Sequence, residues 1–320
     1  MRILQVSSAQ ERGGGETHLL QLVTALRNRG HHVVVAGRKD GPLHPEIPLS
    51  ALRLRAVLKR ERFDVVHAHV ARDYPIVAGA ALGIRGLTVV FTRHLLYRVR
   101  RNPLYKRADG WIAPTPEILD TLKPLRPRAS AVIPNWVDLQ KFPYRPHAFH
   151  DPITVGLIGQ ISPHKGHEDA VEAMRRLGPG YRLLIAGKGD SAYETRLKKI
   201  SAALPVEYVG FVELPKFFER VDAVIVPSWN EPFGIITLEA MASGIPVIGT
   251  GPRNVLHGTF IPPRDPAALA SAIRSLRPGE GVSAARKHVE ENFDIRKVIP
   301  LIEKFYADRQ RRARADVAAR

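Results

Sequence analysis

Short apolar runs alternate along the whole chain with longer stretches that carry an apolar residue every third or fourth position. The runs at 3–6, 32–37, 64–68, 87–91, 110–113 and 131–133 lack strand-like polar alternation, so they read as strands covered on both faces. Between them, residues 16–29 place Leu19, Leu20, Leu22, Val23 and Leu26 on one helical stripe closed by Gly30, and 49–62, 74–82 and 115–123 repeat the theme. The alternation then resumes. Strands are predicted at 153–159, 181–186, 206–211 and 223–226, and helices at 167–177, 193–203, 214–220, 235–243, 267–276, 282–292 and 295–312. Strand after helix after strand implies α/β architecture: parallel sheets with right-handed crossovers, in two Rossmann-like domains. The stretch 143–152, interrupted by Pro143, Pro146 and Pro152 and bearing His147 and His150, is read as the linker. The predicted division is 1–147, 148–298 and a C-terminal crossover helix with a frayed basic tail at 299–320.

The most informative residues follow the run 223–226, which ends at Pro227 and should leave its sheet at the carboxyl end, where open α/β sheets bind ligands. Next come Ser228, Trp229, Asn230, Glu231, Pro232, Phe233 and Gly234, then a helix that stops at Gly244 and Pro246. Glu231 and Glu239 are separated by seven residues. An isolated Glu pair reads more simply as a helix start and a wet face, but Glu239 sits among Leu238, Ala240 and Met241 in a helix with no other charge. Such a carboxylate should be buried and should need partners. Gly234 allows close backbone approach, and the N–H groups of Ile235 and Ile236 at the helix start suit phosphate or sugar oxygens. A carboxylate accepts two hydroxyls at once, so the pair fits a molecule with both phosphates and vicinal diols, such as a nucleotide sugar. Upstream, Lys165-Gly166 in a strand-loop-helix setting puts an ammonium where a diphosphate could lie. In the first half, Gly14 and Gly15 sit in a polar loop at 7–15 between strand and helix, and His94 follows a strand at its carboxyl end. GGGE is not a dinucleotide fingerprint, which argues against a nicotinamide-dependent dehydrogenase.

The stretch EPFGIITLEAMASGIPV resembles the Glu-x7-Glu signature of retaining GT-B glycosyltransferases, glycosyltransferase family 4. QISPHKG is similar to that family's G-R-x-x-x-x-K-G, with Gln160 where Arg is usual. VIPNWVDLQKF is similar to its interdomain segment, with Trp136 in place of Gly. DVVHAH at 64–69 also matches, with His67 and His69 read mainly as strand-end packing. GPRNVLHGTF at 251–260 is shorter than the family's usual loop and lacks its Glu. The resemblance implies two domains facing across a cleft and a hexosyltransferase-type activity (EC 2.4). It implies that a UDP- or GDP-linked sugar is transferred with retention and without a metal, which agrees with the lack of any D-x-D. It assigns Glu239 to the ribose, and Glu231, with the 233–236 backbone, to the donor sugar. Lys165 and Gln160 fall to the diphosphate, Gly187 and Phe211 to the base, Gly14 and Gly15 to the opposite loop, and His94 to the sugar or acceptor. A sugar- or lipid-linked acceptor in cell-envelope lipopolysaccharide, glycolipid or polysaccharide synthesis is expected. A nucleotide-sugar epimerase or phosphorylase on the same fold, or a non-catalytic binder of anionic surfaces, remains the alternative.

Charge adds a second theme. The formal net charge is +17, with 24 Lys and Arg against 11 Asp and Glu in residues 1–147, but 24 against 20 in 148–320. Within the basic half, RHLLYRVRRNPLYKR sets Arg98, Arg100, Arg101, Lys106 and Arg107 among aromatic and aliphatic residues, a pattern suited to an anionic membrane surface. No nucleic-acid fold signature accompanies it, so no nucleic-acid partner is expected. There is no Cys, which excludes thiolate metal sites and Cys nucleophiles. No long apolar segment is present, and MRILQVSS has no extended apolar region. The expectation is a cytoplasmic protein, peripheral on the inner face of the plasma membrane if the basic stretch acts.

Overall fold

In the computed structural model, which describes residues 1–10 and 13–318, the apolar runs become two sheets in which every paired strand is parallel. The first contains β1 (Arg2–Ser7), β2 (His32–Gly37), β3 (Ile47–Pro48), β4 (Val65–Ala68), β5 (Thr88–Thr92), β6 (Gly110–Ala113) and β7 (Ser130–Val132), in the order β3-β2-β1-β4-β5-β6-β7. The second contains β8 (Ile153–Ile158), β9 (Tyr181–Ala186), β10 (Val206–Gly210), β11 (Ala223–Val226), β12 (Val247–Gly249) and β13 (Thr259–Phe260), in the order β10-β9-β8-β11-β12-β13. Helices cover the faces, which is why β4, β5 and β11 are buried at every position. The strands β3, β12 and β13 were not predicted, since two or three residues are too few to show a period.

The helices are α1 (Gly14–Asn28), α2 (Ala51–Glu61), α3 (Tyr74–Ala80), α4 (Pro116–Asp120), α5 (His167–Leu177), α6 (Ser191–Ser201), α7 (Leu214–Phe218), α8 (Ile235–Ser243), α9 (Pro266–Arg274), α10 (Val282–Asn292) and α11 (Ile295–Ala318). The chain separates into two compact units, 1–135 with 296–320, and 136–295. The first core gathers Leu4, Val66, Tyr74, Phe91 and Trp111, with Tyr74, Phe91 and Trp111 in mutual ring contact. α11 completes this unit: the Tyr306 hydroxyl lies 2.5 Å from His67 Nδ1, and Glu303 holds Arg29 and His31, each at 2.7 Å. The helix runs on through Ala318, so the tail predicted to fray is helical as far as the described residues go. Residues 11–12 of the predicted glycine loop, and 319–320 of the tail, lie outside the described residues.

The stretch 143–152 is packed against the second unit, and the division falls earlier, after Asn135. Val137 donates its N–H to Phe293 and receives that of Ile295, Phe142 is buried in the second core, and Arg145 donates its N–H to the Ser243 carbonyl. The prolines interrupt regular structure in this segment without setting it free. Among the described residues no helix is long and apolar enough to cross a membrane.

Candidate active site

The strand order of the second sheet determines where a site can form. The chain moves from β8 outward to β9 and β10, then returns to pair β11 on the other edge of β8. Loops leaving the carboxyl ends of β8 and β11 therefore run in opposite directions, the arrangement at which open α/β sheets hold ligands. Lys165 is on the first of these loops and Glu231 on the second.

The two loops meet backbone to backbone. Gly166 has φ +74°, and a Cβ there would lie 2.1 Å from the Pro227 carbonyl oxygen, so only glycine permits the approach. Across this contact Lys165 Nζ donates to Glu231 Oε2 at 2.9 Å, and Ser228 Oγ donates to the same oxygen at 2.8 Å. The surrounding loop is fixed on several sides. Trp229 donates its backbone N–H to the His164 carbonyl at 2.8 Å and its indole N–H to Asp169 at 2.7 Å, while the Thr250 hydroxyl donates to the Ser228 carbonyl at 2.5 Å. The Arg264 guanidinium lies over the Trp229 ring at 4.1 Å. The Glu231 side chain is 7% exposed and that of Lys165 31%, which keeps the pair partly reachable from solvent.

Beyond Glu231 the chain turns at Gly234, φ +85°, and enters α8, leaving the N–H groups of Ile235 and Ile236 in the first helical turn, where intrahelical acceptors are absent. Phe233 was expected to serve a ligand through its backbone. Its side chain is buried in the core and packs edge-on against Phe293 at 5.9 Å, so only its backbone remains available. Glu239 is half-buried, less enclosed than its apolar sequence neighbours implied. Among the described residues no hydrogen bond or ion pair reaches its carboxylate, and burial alone raises its pKa to about 8. At neutral pH this carboxyl is mostly protonated, whereas Glu231 is ion-paired.

Other expected residues are placed as follows. Gln160 is exposed on the β8 loop. Gly187 sits where an added Cβ would meet the Gly159 carbonyl at 1.8 Å, so a structural need for glycine exists there independently of any base. Phe211 projects into solvent at 81% exposure, just past β10.

In the first unit, helix α1 begins at Gly14, earlier than expected, so Gly14 and Gly15 form its first turn, while Gly13 donates its N–H to Glu16 at 2.9 Å. His94 is half-buried, and burial first, then Arg93, lowers its pKa to about 4. It stacks on His69 at 6.2 Å, and His69 contacts His67 at 4.0 Å. His67 is buried between Tyr306 and the Thr92 hydroxyl, a structural position, and His18 and His69 are likewise held neutral by burial. The sequence reading missed this grouping, because His18 lies on a helix far from the other three in the chain. Of the basic stretch, Arg98, Arg100, Arg101 and Lys106 are exposed, as are Leu95 and Tyr97. Arg107 does not belong with them. It is drawn inward, donating to Asp109 at 2.7 Å and to the Leu87 carbonyl at 2.7 Å.

The chain is also similar to known proteins over most of its length. Residues 12–141 match the family model described as Glycosyltransferase Family 4, and residues 152–277 the one described as Glycosyl transferases group 1. A glycogen synthase of Mycobacterium tuberculosis is 27% identical, with 96% of this chain and 94% of the relative covered. A D-inositol 3-phosphate glycosyltransferase of Acidothermus cellulolyticus is also 27% identical, over 86% of this chain and 81% of its own. Among solved structures, Anabaena Alr3699/HepE in complex with UDP-glucose superimposes with a TM-score of 0.82 at 21% identity, covering 96% of this chain and all of that one. The lipopolysaccharide outer core galactosyltransferase WaaB in its apo form gives 0.72 at 18% identity, with 99% of both chains covered.

Proposed function

The chain is a glycosyltransferase of the GT-B type, of Glycosyltransferase Family 4 in its first half and Glycosyl transferases group 1 in its second, and from that premise we propose that it transfers a hexose from a UDP-linked donor to an acceptor hydroxyl with retention at the anomeric carbon. The observation that carries this reading is the Lys165–Glu231 pair at the point where the β8 and β11 loops part, next to the start of α8. A nucleotide diphosphate sugar presents two phosphates and two diol-bearing rings. The Lys165 ammonium and the N–H groups of Ile235 and Ile236 suit the phosphates, Glu239 the ribose diol, and Glu231 the hydroxyls of the sugar. The HepE structures, which contain UDP and UDP-glucose, support the choice of uridine.

In the transfer step the acceptor oxygen bonds to the anomeric carbon on the face from which the diphosphate departs. The C–O bond to the β-phosphate breaks with its electron pair on that phosphate, and the acceptor proton passes to the same leaving oxygen. Lys165 and the helix-start N–H groups then stabilise the developing charge, which is the service a metal ion performs elsewhere, so the reaction is proposed to need none. The first unit's part is acceptor binding, with His94 offering a neutral imidazole. Lipid-linked acceptors of the cell envelope fit the exposed Arg98, Arg100, Arg101 and Lys106 beside Leu95 and Tyr97, which suit the surface of an anionic bilayer.

A thermal-shift screen of UDP-, GDP- and ADP-sugars, followed by calorimetry of the best donor on the wild type and on Glu239→Ala, tests the reading. A uridine donor should raise Tm by mass action, and the variant should lose binding. Unchanged affinity in a folded Glu239→Ala protein would count decisively against the assignment.

A further inference from the structure

Asp222 precedes β11 by one residue and has a side chain with no solvent exposure, yet among the described residues neither Lys nor Arg pairs with it. Its neighbours are instead two imidazoles from the extended segment before β8. His150 Nδ1 lies 2.7 Å from Asp222 Oδ1, and His147 Nε2 lies 3.5 Å from the same oxygen. The three candidate donor atoms all fall within 4.8 Å of one another. The carboxylate also accepts the backbone N–H groups of His150 and Thr154, at 3.0 and 2.7 Å, which fixes its orientation. His147 Nε2 is shielded from solvent and makes no hydrogen bond, because 3.5 Å is too long for one.

We propose that His147, His150 and Asp222 bind one divalent transition-metal ion of the zinc class, at a site independent of the transfer chemistry. Two imidazoles and a carboxylate are a borderline ligand set, suited to Zn²⁺, Co²⁺, Ni²⁺ or Cu²⁺ and poorly suited to Mg²⁺ or Ca²⁺. With metal–ligand bonds of about 2.0–2.1 Å, tetrahedral ligands stand about 3.4 Å apart, close to the 3.5 Å between His147 Nε2 and Asp222 Oδ1. His150, whose ring is 43% exposed, needs only to widen its 2.7 Å contact, and its exposure gives the ion and a completing water a way in. The ion would balance a buried negative charge that now has only neutral N–H donors and imidazoles around it. It would also pin the segment 147–150 to the amino end of the second sheet. Lys165 and Glu231 follow the carboxyl ends of β8 and β11, so the two sites lie at opposite ends of the same strands.

The test uses the full-length chain, stripped with chelator and freed of any purification tag, titrated with Zn²⁺ in calorimetry and with Co²⁺ by visible absorption, without nucleotide. The wild type should take up one equivalent of zinc and gain thermal stability, and a tetrahedral cobalt spectrum should appear. His147→Ala and His150→Ala, at positions 29% and 43% exposed in their side chains, should fold yet lose that equivalent. Absence of a stoichiometric step in the wild type, or equal zinc uptake by both variants, would overturn the proposal and leave Asp222 as a cap for the His150 and Thr154 N–H groups.

Discussion

Replacing Glu239 by Gln isolates the cost of holding an unpaired carboxyl inside the second unit. Burial moves its pKa from 4.5 to about 8. Below pH 4.5 the group is protonated in folded and unfolded chains alike, so charge contributes nothing to the difference between wild type and variant. As pH rises, the unfolded carboxyl ionises first while the folded one keeps its proton, and wild-type stability falls until the folded group also ionises near pH 8. Each unit of pH in this window is worth 1.36 kcal/mol for one proton, so between pH 4.5 and 7 the wild type should lose about 3 kcal/mol relative to Glu239→Gln. Urea unfolding of both proteins at half-unit steps from pH 4.5 to 9 would measure it, read as the difference between their midpoints. That difference should widen up to pH 8 and level off above. A difference that stays flat with pH would refute the reasoning, because it would mean that the carboxyl titrates at the same pH folded and unfolded. The proposed ribose contact adds a second consequence. A carboxylate that accepts two hydroxyls must first lose its proton, so UDP affinity should rise about tenfold per pH unit below 8 in the wild type and lose that dependence in the variant.

Two further outcomes follow from the placement of other residues. Gly166→Ala must push the β8 and β11 loops apart, since its Cβ would fall 2.1 Å from the Pro227 carbonyl oxygen at a positive φ. It should destabilise the fold by about 2–3 kcal/mol in urea unfolding and separate Lys165 from Glu231, with a matching loss of UDP affinity; wild-type affinity would show that the loop contact does not position the pair. If the exposed Arg98, Arg100, Arg101 and Lys106 meet a membrane, the protein should co-sediment with vesicles carrying anionic lipid far more than with neutral ones, and a quadruple Gln variant should not. Equal recovery with both vesicle types excludes the role.

Much of the fold was legible because parallel strands buried on both faces are nearly continuous apolar runs, and the intervening helices carry stripes such as that of Leu19, Leu22, Val23 and Leu26. What escaped were features set by partners distant in the chain. The stretch with Pro143, Pro146 and Pro152 was read as the linker, yet Arg145 and His150 are tied to Ser243 and Asp222. Arg107 looked like one more surface cation until Asp109 and the Leu87 carbonyl drew it inward.

The two glutamates show the limit most clearly. In the sequence they have seven residues between them, Glu239 in the more apolar setting, and both read as carboxylates poised for hydroxyls. The fold gives one of them Lys165, which lies 66 residues away in the chain but follows the neighbouring strand, together with the Ser228 hydroxyl. The other receives no partner and keeps its proton instead. Strand order produces this asymmetry, because β11 returns beside β8 and so places the Lys165 loop against Glu231 and not against α8 two turns further on. A ligand that needs both groups as anions must therefore displace a proton from Glu239 while sharing Lys165 with Glu231. Proton release on donor binding is therefore expected at Glu239, and the pH dependence of donor affinity tests it.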